Sequence, residues 1–99
     1  MNKILSLLGF AAKAGKLCYG FEATVASLKA NKSRLVIIAE DISSKSRKEI
    51  VFFAEKSNVR QIILEGITIK DLSDSVGRKC GIISVNDNGF ADAMIKACL

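Results

Sequence analysis

Residues 34–42 read RLVIIAEDI. Leu35 to Ala39 is an unbroken apolar run of strand length, followed at once by the carboxylates Glu40 and Asp41. A strand with one wet face alternates apolar and polar residues. This run does not alternate, so it reads as a central strand covered on both faces.

A doubly covered strand needs helices on both sides, and the flanking sequence supplies them. Upstream, Ile4, Leu8 and Ala11 fall on one face of a helix expected from about Asn2 to Ala14, with Asn2 as N-cap and Gly15 just past its end. A short extended piece, Leu17 to Tyr19, follows. Gly20 then turns the chain into a second helix whose Phe21, Val25 and Leu28 share a face, with Asn31 near its end. Downstream, Ser43 or Ser44 can cap a third helix with Ile50, Phe53 and Ala54 inward and Arg47, Lys48 and Lys56 outward. Val59 to Leu64 reads as a strand. Thr68 caps a short helix that Gly77 ends, Gly81 to Val85 is a β-branched strand, and a last helix is expected from Phe90 to Cys98. This order predicts an α/β fold, a three-layer α/β/α sandwich. The shortness of the first strand argues for a small mixed sheet.

The 99 residues suit one domain, residues 1–99, with a core that needs no disulfide or metal. No proline, repeat or low-complexity tract marks a linker. Cys18, Cys80 and Cys98 are odd in number and widely spaced, which fits reduced thiols in a cytoplasmic protein and no metal site. The lack of histidine removes the commonest general base and metal ligand at neutral pH. No cofactor and no catalytic residue are expected. Lys3, the apolar run after it and Ala12-Lys13-Ala14 mimic a short signal peptide, but cleavage there would delete a core helix. No run approaches membrane-span length.

Charge is uneven along the chain. Residues 1–34 hold Lys3, Lys13, Lys16, Lys29, Lys32 and Arg34 against Glu22 alone, which accounts for the whole net charge of +5. Residues 13–22 read KAGKLCYGFE, a basic glycine-punctuated turn that feeds a helix start. The unpaired N–H groups of a helix start, flanked by Lys13 and Lys16, offer an anion site. A polyanion partner, RNA above all, is the expectation. The bland readings are solvated lysines, Gly20 as a simple N-cap and Glu22 offsetting the macrodipole.

The stretch GKLCYGFEATVASLKANKSRLVIIAEDIS, together with LSDSVG at 72–77 and NGFA at 88–91, resembles the kink-turn-binding ribosomal protein family. Within it, the chain resembles the small bacterial YlxQ-like members. The resemblance implies an α/β/α sandwich that binds a sharply bent RNA duplex with sheared G·A pairs. Its recognition motif has the form G-x-N-E-x-x-K, and here the segment is Gly20-Phe21-Glu22-Ala23-Thr24-Val25-Ala26. The glycine is kept; Glu22, Ala23 and Ala26 replace the Asn, Glu and Lys. A carboxylate at Glu22 can accept from a guanine edge but cannot donate to O6. The family also implies that the loop Arg78, Lys79 and Cys80 touches a flipped-out nucleotide. The expected RNA-binding residues are Lys13, Lys16, Gly20, Phe21, Glu22, Arg78, Lys79 and Cys80. The expected partners are a kink-turn-like RNA, such as ribosomal RNA, and ribosomal or RNA-processing proteins, with the chain itself a monomer. The alternative is a protein–protein scaffold of the same fold, which an exposed apolar patch around Phe52 or Phe53 would favour. Glu40 and Asp41 are expected to cap or orient rather than to catalyse.

Overall fold

The computed structural model describes residues 3–98, so the expected Asn2 cap lies outside the described residues. Five helices and four strands follow in the order α1 (Lys3–Lys13), β1 (Leu17–Tyr19), α2 (Phe21–Lys29), β2 (Leu35–Ala39), α3 (Ser44–Lys56), β3 (Gln61–Leu64), α4 (Ile69–Val76), β4 (Ile82–Val85) and α5 (Asn88–Ala97).

The strands form a single mixed sheet in the order β1-β4-β2-β3. Strand β4 runs antiparallel to both neighbours, with Cys18 opposite Ser84 and Ile37 opposite Ile83. Strand β3 runs parallel to β2, with Ile37 opposite Ile62. All five residues of β2 are buried. Strand alternation divides them between two cores. Leu35, Ile37 and Ala39 join Ile83 and Val85 under α1, α4 and α5, through Ile4, Leu8, Leu72 and Met94. Val36, Ile38 and Ile82 face α2 and α3, through Leu28, Ile50 and Ala54. The three layers are therefore helix, sheet, helix.

Local chemistry sets the ends of the elements. Helix α1 closes with Lys16 N–H on the Ala11 carbonyl and Gly15 N–H on the Ala12 carbonyl, around Gly15 at φ 70°. This is a Schellman stop. Asn31 at φ 59° ends α2 the same way, with Lys32 N–H on Ser27, and Asn58 at φ 61° ends α3, with Val59 N–H on Ala54. That last stop engages Val59 in the helix end, so β3 begins at Gln61 rather than at Val59. Asp87 accepts from Phe90 N–H at 2.9 Å, so α5 starts at Asn88, two residues earlier than the apolar pattern indicated. Thr68 and Asp71 form a capping box on α4.

Gly81 lets the last crossover lie flat. A Cβ built there would come within 2.7 Å of the Ile42 Cγ2 and 3.0 Å of the Ile69 Cγ1. The Gly81 carbonyl accepts from Ala39 N–H at 2.8 Å, tying the start of β4 to the end of β2.

Candidate nucleic-acid interface

The sheet has two ends, and the candidate site lies at one of them. Tyr19 and Gly20, the start of β4, and the Gly77–Lys79 loop share this end with the start of α2. Gly20 is pinned from both sides: its N–H donates to the Ile82 carbonyl at 2.8 Å and its carbonyl accepts from Thr24 N–H at 3.1 Å. Its φ of 92° and ψ of 170° turn the chain directly from sheet into helix.

Helix α2 starts differently from α3, α4 and α5. Ser43, Thr68 and Asp87 each cap their helix with a side-chain oxygen, whereas Gly20 has none. The N–H groups of Phe21, Glu22 and Ala23 consequently meet no acceptor among the described residues. They carry the positive end of the helix dipole. An anion placed there would find oriented donors without any rearrangement of the chain.

Beside this start runs a groove of about 650 Å³ lined by Leu17, Cys18, Tyr19, Ala23, Gly77, Arg78 and Lys79. The Arg78 guanidinium lies over the Tyr19 ring, 4.9 Å from its centroid. A stacked guanidinium keeps its donor edge free for phosphate or base contacts. Burial raises the Tyr19 phenol above its ordinary value, with Arg78 opposing, so the ring stays neutral at physiological pH. A second depression of about 480 Å³ shares Tyr19 and Gly77 and continues to Phe10 and Lys13. Phe10 is 61% exposed.

Most of the residues expected at the site converge here. Gly20, Glu22, Arg78 and Lys79 surround the groove or the helix start, and Lys13 lines its continuation. Phe21 is half-buried and packs on the core beneath α2, so its ring anchors the helix start.

The structure places two of the expected residues away from this groove. Cys80 is 6% exposed within the core under α1 and α4, its N–H donating to the Ser73 hydroxyl at 3.0 Å. The residue lies in the core two positions before β4 begins, and burial raises its pKa. Arg78 and Lys79 form the exposed face of that loop. Lys16 is also displaced. Its carbonyl accepts from Asn86 N–H at 2.8 Å at the opposite end of β1, about 13 Å of strand from Gly20.

Glu40 and Asp41 serve the fold. Glu40 accepts from Gly66 N–H at 3.0 Å through its carboxylate and from Arg47 through its carbonyl. Asp41 accepts from Ile69 N–H at 2.7 Å at the start of α4. Ser43, not Asp41, caps α3. Among the described residues no group of His, Cys, Asp and Glu is arranged to hold a metal ion.

Tyr19 and Phe10 were missed in the sequence reading. A signal for Phe10 existed: at 100° per residue it points away from the stripe of Ile4, Leu8 and Ala11. Tyr19 had no such signal, because its importance comes from Arg78 arriving from 59 positions away.

The comparisons agree with this architecture. The chain is 30% identical over 91 residues to an RNA-binding protein YlxQ from Enterococcus faecium, covering 91% of this chain and 85% of that protein. It is 31% identical to the large ribosomal subunit protein eL30 of Dictyostelium discoideum, covering 94% and 84%. Among solved structures, a Bacillus halodurans protein of unknown function superposes with a TM-score of 0.92 at 26% identity over 98% of this chain and 97% of the other. A Giardia lamblia 15.5kD RNA binding protein shares the fold, with a TM-score of 0.75 at 15% identity over 94% and 79%. A family model matches residues 2–95, and the chain belongs to the ribosomal protein L7Ae/L30e/S12e/Gadd45 family.

Proposed function

We propose that this chain is a non-enzymatic, cytoplasmic RNA-binding protein that docks a sharply bent, kink-turn-like RNA against the start of α2. The observation that carries the reading is the convergence of an uncapped helix N-terminus with the Arg78 and Lys79 loop across one groove. The named RNA-binding and ribosomal relatives support it. The N–H groups of residues 21–23 take a phosphate, Lys13, Arg78 and Lys79 neutralise its neighbours, and Glu22 accepts from a guanine edge. Ala23 and Ala26 stand where the family motif carries Glu and Lys, so base readout is thinner and the backbone contacts carry more of the affinity. Binding favours the bent RNA because only that state presents both phosphate and base edge to the groove.

The test compares a kink-turn RNA with a straight duplex of equal length across a salt titration. A preference of about 100-fold for the kinked RNA, or about 2.7 kcal/mol, supports the reading. Glu22→Ala should shrink that preference, whereas Arg78→Ala should weaken binding to both RNAs. Equal affinity for the two RNAs at every salt concentration would refute kink recognition. The scaffold alternative has Phe52 in its favour, 59% exposed on α3. Its ring stands edge-on to Phe53 at 5.5 Å, a single exposed aromatic beside a half-buried one.

A further inference from the structure

The positive charge of the first third of the chain does not gather at the groove. Helix α2 runs away from Gly20, so Lys29 and Lys32 lie at its far end, and Arg34 opens β2 at that same end of the sheet. Parallel pairing brings the start of β3 alongside: Val36 N–H donates to the Arg60 carbonyl at 3.0 Å. Lys16 arrives from β1. The end of β4 lies between them, with Arg34 N–H on the Val85 carbonyl at 2.7 Å and Asn86 N–H on the Lys16 carbonyl at 2.8 Å. Three strand spacings, about 14 Å, therefore span Lys16, Arg34 and Arg60. Lys56, in the last turn of α3, completes the cluster.

All six cations are exposed. None is paired with a carboxylate; the ion pair that forms among the described residues is Lys70–Asp74, on another element. Lys29 lies over the Phe53 ring at 5.4 Å. Lys29 and Lys56 can be explained as partners for the negative ends of α2 and α3. Arg34 and Arg60 cannot, because they open strands beyond the helix stops. Glu55 lines the same depression as Arg60 without forming an ion pair with it, and the Asp87 carboxylate caps α5.

We propose that this end of the sheet is a second RNA-contacting surface, which holds the sugar–phosphate backbone of a duplex arm separately from the groove. A duplex carries one charge per about 1.7 Å of axis, so a cationic row of this width meets several phosphates at once. Arg34 and Arg60 meet a backbone as cations rather than as readers of one base, so the contact follows charge and duplex shape, not sequence. This surface goes beyond the groove reading and does not depend on it.

The test uses the whole chain and a straight RNA duplex with no kink. Lys32→Gln, Arg34→Gln and Arg60→Gln are combined in one variant, and Arg78→Gln with Lys79→Gln in a second. Log affinity is followed against log salt concentration, and thermal melting confirms that both variants fold. Each phosphate contact contributes about 0.9 to the slope on a duplex. The triple variant should lower the duplex slope by roughly two to three and leave the ratio of kinked to straight affinity unchanged. A lowered slope with no kink preference in either protein would retain this surface and reject the groove reading. An unchanged duplex slope in the triple variant overturns the surface. So does a loss confined to anionic phosphatidylserine vesicles, which would make the partner a membrane.

Discussion

Replacing Gly20 by alanine isolates the backbone requirement at the start of α2. A Cβ at this position would meet nothing within 4 Å, so no steric clash with the rest of the protein enters. The cost is conformational. A φ of 92° with ψ of 170° falls in a region that is essentially glycine-only, at about 1–3 kcal/mol for another L-residue. Relaxing φ would not avoid it, because the Gly20 N–H is bonded to β4 and its carbonyl to the first turn of α2. Losing either bond costs about 0.5–1.5 kcal/mol. A destabilisation near 2 kcal/mol corresponds to a fall of about 8–16 °C in Tm for a domain of this size.

Calorimetry or a circular-dichroism melt reads the shift, and two further variants sharpen it. Asparagine tolerates the left-handed helical region but not an extended ψ at positive φ. Gly15→Asn, at φ 70°, should therefore melt close to the parent protein, while Gly20→Asn should fall with Gly20→Ala. A D-alanine at position 20, introduced by chemical synthesis, finds the mirror-image conformation allowed and should restore the melting temperature. Gly20→Ala within about 2 °C of the parent, or D-alanine no better than L-alanine, would refute the reasoning. The same variants test whether the orientation of the N–H groups of residues 21–23 matters to RNA affinity.

Other expectations follow from particular contacts. Gly81→Ala should cost about 1–3 kcal/mol in a urea titration, since the new methyl meets the β-branched Ile42 at 2.7 Å, and Ile42→Ala should recover part of the loss. Thr24 is fully buried with its hydroxyl unpartnered among the described residues, so Thr24→Val should raise stability by about 1–2 kcal/mol; a loss would reveal a partner for the hydroxyl. At neutral pH iodoacetamide should label the exposed Cys98 rapidly and Cys80 only on unfolding, as intact-mass spectrometry can follow. Burial raises the Cys80 pKa, so its contribution to stability is complete below the ordinary thiol value of about 8.5. That contribution declines as pH rises beyond it; Cys80→Ala should remove this alkaline component of the melting curve.

The elements were legible where one local signal decides them. Leu35 to Ala39 could only be an inner strand, and the structure buries every side chain of it. Thr68, Gly77 and Gly15 marked helix ends that the hydrogen bonds confirm. Errors arose where two local signals competed. Val59 has a strand residue's shape, yet Asn58 in the left-handed region draws its N–H into the stop of α3. Asn88 and Gly89 resemble a turn, yet the Asp87 carboxylate makes them the first turn of α5. Strand order was beyond local patterning, because the position of β4 between β1 and β2 depends on contacts between residues 44 or more positions apart.

The site divides along the same line, and charge is the clearest case. Counting along the chain put Lys13 and Lys16 beside Gly20, with Lys29, Lys32 and Arg34 further off in the same basic third of the sequence. In an α/β sandwich each element crosses the molecule, so residues about ten positions apart alternate between opposite ends. Lys13 borders the groove, while Lys16, Lys29, Lys32 and Arg34 lie across the sheet from it. Arg78, more than 50 positions from Gly20, stacks on Tyr19 beside it. A basic segment in sequence therefore translates into two separated basic surfaces. The groove combines oriented N–H donors and an aromatic ring with its few cations, which on the proposed function is what would distinguish a bent RNA from a straight one. The far row has charge alone, so its affinity should fall steeply with salt while the preference of the groove persists.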